Sequence, residues 1–240
     1  MLGSNKKSID DHILPSLSSN RFSASFIFIF SFAFGQKKLP EGFNYVTDVI
    51  PSIKIELRYF GAYNFVGKPI EGYNKEVTIL SSDASFALKK VQEELKQYNL
   101  SIKIFDAYRP QQAVNHFVRW AKHYNDTINK NEFYPEVKKQ DLFKEGYIAS
   151  KSGHTRGSTL DITVVDIVSG LELDMGSSWD FFGEISWVDN KTITTQQRAN
   201  RMLLQTIMLK HGFKHYPKEW WHFTLINEPF PETYFNFPID

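Results

Sequence analysis

FKHYPKEWWHFTLI, residues 213–226, carries two β-prone runs, Phe213–Tyr216 and Trp220–Ile226, on either side of a turn at Pro217. Upstream, Thr159–Val165 reads as another strand, and Ser101–Phe105 alternates as a short one. Between these runs lie amphipathic helices. From Asp83 to Tyr98, the residues Leu88, Val91, Leu95 and Tyr98 recur at spacings of three and four behind the capping candidates Ser81 and Ser82. Pro110, in a first-turn position, opens a second helix to about Tyr124 with Ala113, Val114, Phe117, Trp120 and Ala121 on its inner side. A third runs from about Gln196 to His211, with Gly212 placed as a left-handed cap. The order has no regular strand–helix–strand rhythm, and no repeat or linker interrupts the chain after residue 40. The expectation is one α+β domain, a mostly antiparallel sheet flanked by helices.

Composition removes several function classes. A net charge of +1, without long basic or acidic runs, lacks the electrostatic signature of nucleic-acid or membrane-surface binding. The chain has no cysteine, so disulfides, a thiolate nucleophile and thiolate metal ligands are all absent. Any zinc site must be built from histidine and carboxylate. The 21 Phe, 11 Tyr and 5 Trp favour strands and well-walled pockets.

At the N terminus, Lys6, Lys7 and Arg21 precede an apolar run from Phe22 to Phe34, which is too short to span a bilayer comfortably. Ala33 and Gly35 are small residues three and one before a cut, so residues 1–35 read as a signal peptide and 36–240 as the catalytic domain. That segment holds three basic and two acidic groups, so its removal leaves 205 residues with 25 charges of each sign. The protein is then expected in the periplasm or outside the cell, free of the membrane.

The chemistry concentrates in three places. In SGHTRGSTLD, Ser152–Asp161, two glycines bracket a tight loop bearing His154, and a strand-like stretch delivers Asp161. Zinc accepts imidazole nitrogen and carboxylate oxygen at about 2.0–2.2 Å, and catalytic sites use three protein ligands. The third candidate is His222 in EWWHF, 219–223, where Glu219 can act as general base on a zinc-activated water without being a ligand. Trp220 and Trp221 are expected to wall this site. His116, His123, His211 and His215 read as packing, surface or helix-end residues. In DAYRP, 106–110, Arg109 offers a guanidinium to an oxyanion or a substrate carboxylate; local sequence favours instead a surface salt bridge to Asp106.

Together these segments resemble the VanX-type D-alanyl-D-alanine dipeptidases, within the zinc D,D-peptidases. The resemblance runs from about Leu57 to Pro238 and includes RYFGAYNFVGKPIEGYN (58–74), IFDAYRPQQAVNHFVRW (104–120), SGHTRGSTLDIT (152–163), LDMGSSWDFF (173–182) and PKEWWHFTL (217–225). It implies one zinc per chain on His154, Asp161 and His222, Glu219 as base and then proton donor, and Arg109 as the residue meeting the tetrahedral intermediate. It further implies that Tyr59, Ser152 and Asp180 line a small substrate pocket, with Asp180 facing the free ammonium group of a D,D-dipeptide. The competing functions are a D,D-carboxypeptidase or endopeptidase acting on intact peptidoglycan peptides, and a catalytically silent zinc-stabilised binding module.

Overall fold

The computed structural model describes residues 38–240, so the expected signal segment, 1–35, lies outside the described residues. Its elements in chain order are β1 (Phe43–Tyr45), α1 (Val46–Val49), β2 (Lys54–Ile55), β3 (Ile79–Ser81), α2 (Ser82–Lys96), β4 (Leu100–Asp106), α3 (Gln111–Lys122), α4 (Lys130–Phe133), β5 (Thr159–Asp166), α5 (Thr195–Lys210), β6 (Phe213–Tyr216) and β7 (Glu219–Leu225). The main sheet has five strands in the order β2-β4-β5-β7-β6, and β1 with β3 forms a separate antiparallel pair. Only β2–β4 is parallel in the main sheet. This is the α+β, mostly antiparallel arrangement expected.

The helices form where the apolar spacing placed them. Ser81 caps α2 by accepting the Ala84 N–H, and Leu88, Val91 and Leu95 are fully buried. Each such burial is worth roughly 1.5–3 kcal/mol. Tyr98 departs from the expectation. The helix ends at Lys96, and Asn99 at φ 58° turns the chain, leaving Tyr98 61% exposed. α5 begins with a capping box, Thr194 and Gln197 satisfying each other's backbone N–H groups. α2 contacts β4, α5 contacts β6, and the two helices touch each other. Leu160, Ile162 and Val164 alternate along β5 into the core that also takes the α2 leucines. By the same period of two, Asp161 and Thr163 project to the opposite face.

One buried cation shapes the region beside that face. Arg201 of α5 is 1% exposed and donates to the carbonyls of Met175, Ile185 and Trp187 at 2.6–2.8 Å. Three carbonyls on one guanidinium fix the 175–187 loop, which carries Asp180 and Phe182. Asp180 sits in the left-handed region at φ 64°, a conformation that persists only when its surroundings hold it there.

Candidate metal centre and active site

Asp161 on β5 lies opposite Asp106 of β4 and opposite His222 of β7, so three strands set a row of polar residues across one face of the sheet. His154 arrives from a 3-10 turn, Gly153–Arg156. Ser152 caps this turn by accepting the His154 N–H, and Gly157 closes it at φ +82°. A β-carbon on Gly157 would lie 2.3 Å from the Phe43 ring. Gly157→Ala therefore combines left-handed strain of about 1–2 kcal/mol with an overpacking cost of about 1–3 kcal/mol. Chemical denaturation should show a loss of at least ~2 kcal/mol, and an unchanged midpoint would refute this account of the loop.

His154 is buried, and its Nδ1 lies 2.8 Å from the Ala107 carbonyl. That hydrogen bond places the proton on Nδ1 and leaves the Nε2 lone pair for a metal. His154 Nε2 is 3.4 Å from Asp161 Oδ1 and 3.3 Å from His222 Nδ1, and His222 Nδ1 is 3.1 Å from Asp161 Oδ1. Three corners of a tetrahedron with bonds of about 2 Å lie about 3.3 Å apart, so these donors fit zinc. Asp161 Oδ1 is buried and makes no hydrogen bond. Burial opposes the charge on Asp161, yet the imidazoles of His154 and His222 hold its carboxyl well below the usual range. Burial lowers His154 and keeps it neutral, as a ligand must be. Among the described residues, these three are the metal-ligating cluster found.

Glu219 is three residues from His222, and in a regular strand such residues point to opposite faces. A bulge removes the conflict. Tyr216 pairs with Glu219 while its neighbour His215 pairs with Phe223, so the extra residues of β7 loop out between the two pairs. Glu219 Oε2 consequently lies 3.4 Å from His222 Nδ1. Burial pushes the Glu219 carboxyl up to about 7, against the pull of His222. A carboxylate poised there can take and return a proton near neutral pH.

The Arg109–Asp106 pair exists, but it is buried, contrary to the surface bridge that local sequence favours. Asp106 has no exposure, and its Oδ2 accepts from Arg109 Nε at 2.9 Å and lies 2.8 Å from Nη2. Tyr73 donates its hydroxyl to Oδ1 of the same carboxylate at 2.7 Å. The guanidinium centre lies 5.0 Å from the Tyr59 ring and 5.3 Å from the Phe117 ring. Long-range packing, invisible in five residues of sequence, thus converts a surface motif into a fixed cation. The sequence reading missed Tyr73, although it lies within the resembling segment 58–74.

His154, Asp161, His222, Glu219 and Arg109 line one cavity of about 320 Å³, small among ligand cavities of about 300–1,000 Å³. Tyr59, Ser152 and Asp180 also line it. Tyr59 donates to Asp180 Oδ2 at 2.7 Å, and burial raises the Asp180 carboxyl well above its ordinary value despite that bond. The expectation for Trp220 and Trp221 is corrected. Both are buried, Trp220 donating to Ser177, and the walls are Phe65, Phe117, Tyr147, Phe182 and Tyr216. Among the described residues the other histidines lie outside the cluster; His211 pairs with Glu94 at 2.7 Å, and His116 accepts the Glu71 N–H.

With three protein donors gathered on the lining of one pocket, beside a buried carboxylate, the site has the donor set of a metallopeptidase. Sequence comparison narrows the class. The chain belongs to peptidase family M15, D-ala-D-ala dipeptidase, whose profile matches residues 40–240. It is 36% identical to a D-alanyl-D-alanine dipeptidase of Enterococcus faecalis over 201 residues, 84% of this chain and 100% of the relative. It is likewise 36% identical to one of Streptomyces coelicolor over 197 residues, 82% of this chain and 98% of the relative. Among solved structures, a vancomycin resistance D,D-pentapeptidase, VanY, in complex with Zn(II) aligns with a TM-score of 0.39 at 13% identity, covering 66% of this chain and 78% of that one.

Proposed function

We propose that this protein is a zinc-dependent dipeptidase that hydrolyses D-alanyl-D-alanine and similar small D,D-dipeptides. His154, Asp161 and His222 would hold one zinc ion, Glu219 would be the base, and Arg109 would meet the oxyanion. The observation that carries this reading is the small pocket, open to solvent on one side, in which a carboxylate, a guanidinium and the three-donor cluster line the same space.

Zinc in such a site supplies Lewis-acid polarisation of the peptide carbonyl and lowers the pKa of water from 15.7 toward about 7. Glu219 takes a proton from the attacking water and later delivers it to the leaving amine nitrogen. Arg109, held by Asp106, faces the charge that develops on the carbonyl oxygen. Asp180 and Tyr59 meet the substrate's free ammonium group, and Ser152 shapes the loop beside it. The aromatic walls exclude bulk water, which strengthens each of these charge interactions.

The purified catalytic domain should therefore cleave D-alanyl-D-alanine and leave a peptidoglycan pentapeptide ending in the same two residues intact. Cleavage of the pentapeptide at a comparable kcat/KM would replace this reading with a D,D-carboxypeptidase. We further place the protein in the periplasm, acting on dipeptides released by cell-wall turnover, on the strength of the segment at 1–35. Recovery of the protein from the cytosol with Met1 intact would contradict that location.

A further inference from the structure

We infer that Lys151 is the anchor for the free C-terminal carboxylate of the dipeptide, an assignment that rests on the function proposed above. A dipeptide is a zwitterion, so its pocket must meet a cation and an anion. Asp180 answers the ammonium. For the carboxylate, the cavity offers two permanently cationic side chains among the described residues, Arg109 and Lys151.

Arg109 is already committed. Its Nε and Nη2 both engage Asp106, and its Nη2 lies 3.8 Å from Asp161. A guanidinium tied to two carboxylates beside the metal donors sits at the scissile bond. Lys151 is different. It is exposed where the cavity meets solvent, and no carboxylate among the described residues pairs with it.

An unpaired surface lysine usually samples many rotamers, but this one is placed. Its Nζ lies 4.8 Å from the centroid of the Tyr234 ring, a cation–π contact. Tyr234 is held in turn. Phe235 next to it donates its N–H to the Thr155 carbonyl at 3.0 Å, and its carbonyl accepts the Gln111 N–H at 3.0 Å. Gln111 also donates its side-chain amide to the Ser150 carbonyl at 3.1 Å, pinning the backbone just before Lys151. The C-terminal segment thus holds the Lys151 ammonium, which has no carboxylate partner among the described residues, at the mouth of a pocket whose buried end is acidic. A zwitterion entering ammonium-first satisfies both ends. Extending the substrate or capping its carboxylate would leave Lys151 without a counter-charge, which makes this residue a specificity determinant for free dipeptides.

The test compares D-alanyl-D-alanine with its C-terminal carboxamide, using the zinc-loaded protein as wild type, K151Q and K151R. The wild type should prefer the free acid. K151Q should lower kcat/KM on the acid by about tenfold, the size of one charge-assisted hydrogen bond, chiefly through KM. The acid-to-amide ratio should fall toward one, K151R should restore most of it, and zinc content and melting temperature should stay those of the wild type. An unchanged ratio in K151Q, or an equal loss on both substrates, overturns the assignment. Wild-type protein that cleaves neither compound overturns the function on which the assignment rests, which is a separate outcome.

Discussion

Glu219→Gln is expected to lower kcat for D-alanyl-D-alanine by about 10²–10⁴-fold while leaving zinc bound, the range over which a positioned general base acts. The substitution keeps the shape of the side chain and removes only its ability to carry a proton. Glu219 lies 3.4 Å from His222 but stands outside the group formed by His154, Asp161 and His222, so the metal donors survive its loss. Its carboxyl, pushed up to about 7 by burial, is matched to proton transfer near neutral pH. In the mechanism proposed, water activation and leaving-group protonation both pass through it, so kcat should fall with little change in KM. Stopped assays of D-alanine release, paired with metal analysis, decide the matter. Turnover within a few-fold of the wild type would remove Glu219 from the reaction.

Asp161→Asn is expected to abolish zinc binding at ordinary concentrations and activity with it. The carboxylate Oδ1 is the common neighbour of both imidazoles, at 3.4 Å and 3.1 Å, and it has no hydrogen bond to compensate for its burial. Losing outer partners of metal ligands already costs about 10–100-fold in affinity, so losing a ligand should cost more than that. The same change has a thermodynamic signature. A ligand present at 1,000 times its Kd stabilises the native state by about 4.1 kcal/mol. Zinc addition should accordingly raise the melting temperature of the metal-free wild type and leave that of D161N unmoved. A zinc-dependent shift in D161N as large as that of the wild type would exclude Asp161 from the ligand set.

How much of this was legible beforehand follows from the reach of each signal. Helical periodicity depends on residues three and four apart, so α2, α3 and α5 were readable to within a few positions. The region before α2 was not. β1 has three residues and β2 two, too short for alternation to register, and the chain between them and β3 is set by turns. Asn64 shows the kind of bond involved, its amide donating to the carbonyls of Arg58, Gly61 and Lys68. Such bonds have no periodic signature.

The site divides in the same way. Residue type alone marked His154, Asp161, His222 and Glu219, because imidazole in an apolar strand and carboxylates beside it call for a chemical reason. The parity of β7 was hidden, since the bulge opposite His215 and Tyr216 that turns Glu219 and His222 to one side depends on pairing with β6. Trp220 and Trp221, expected in the pocket wall from their bulk and nearness to His222, are buried away from the pocket. For Arg109, the local Asp106 pairing was correct and its depth was not, because Tyr59, Tyr73 and Phe117 bury it from distant parts of the chain. Lys151 carried no signal at all until Tyr234 was seen beneath it.

Whether one zinc ion on His154, Asp161 and His222 drives dipeptide cleavage is tested most directly by titrating the metal-free protein with zinc. D-alanine release from D-alanyl-D-alanine should be absent without metal, rise in proportion to added zinc and level off at one equivalent per chain. Full activity in the metal-free protein, or none at any zinc concentration, would contradict the account.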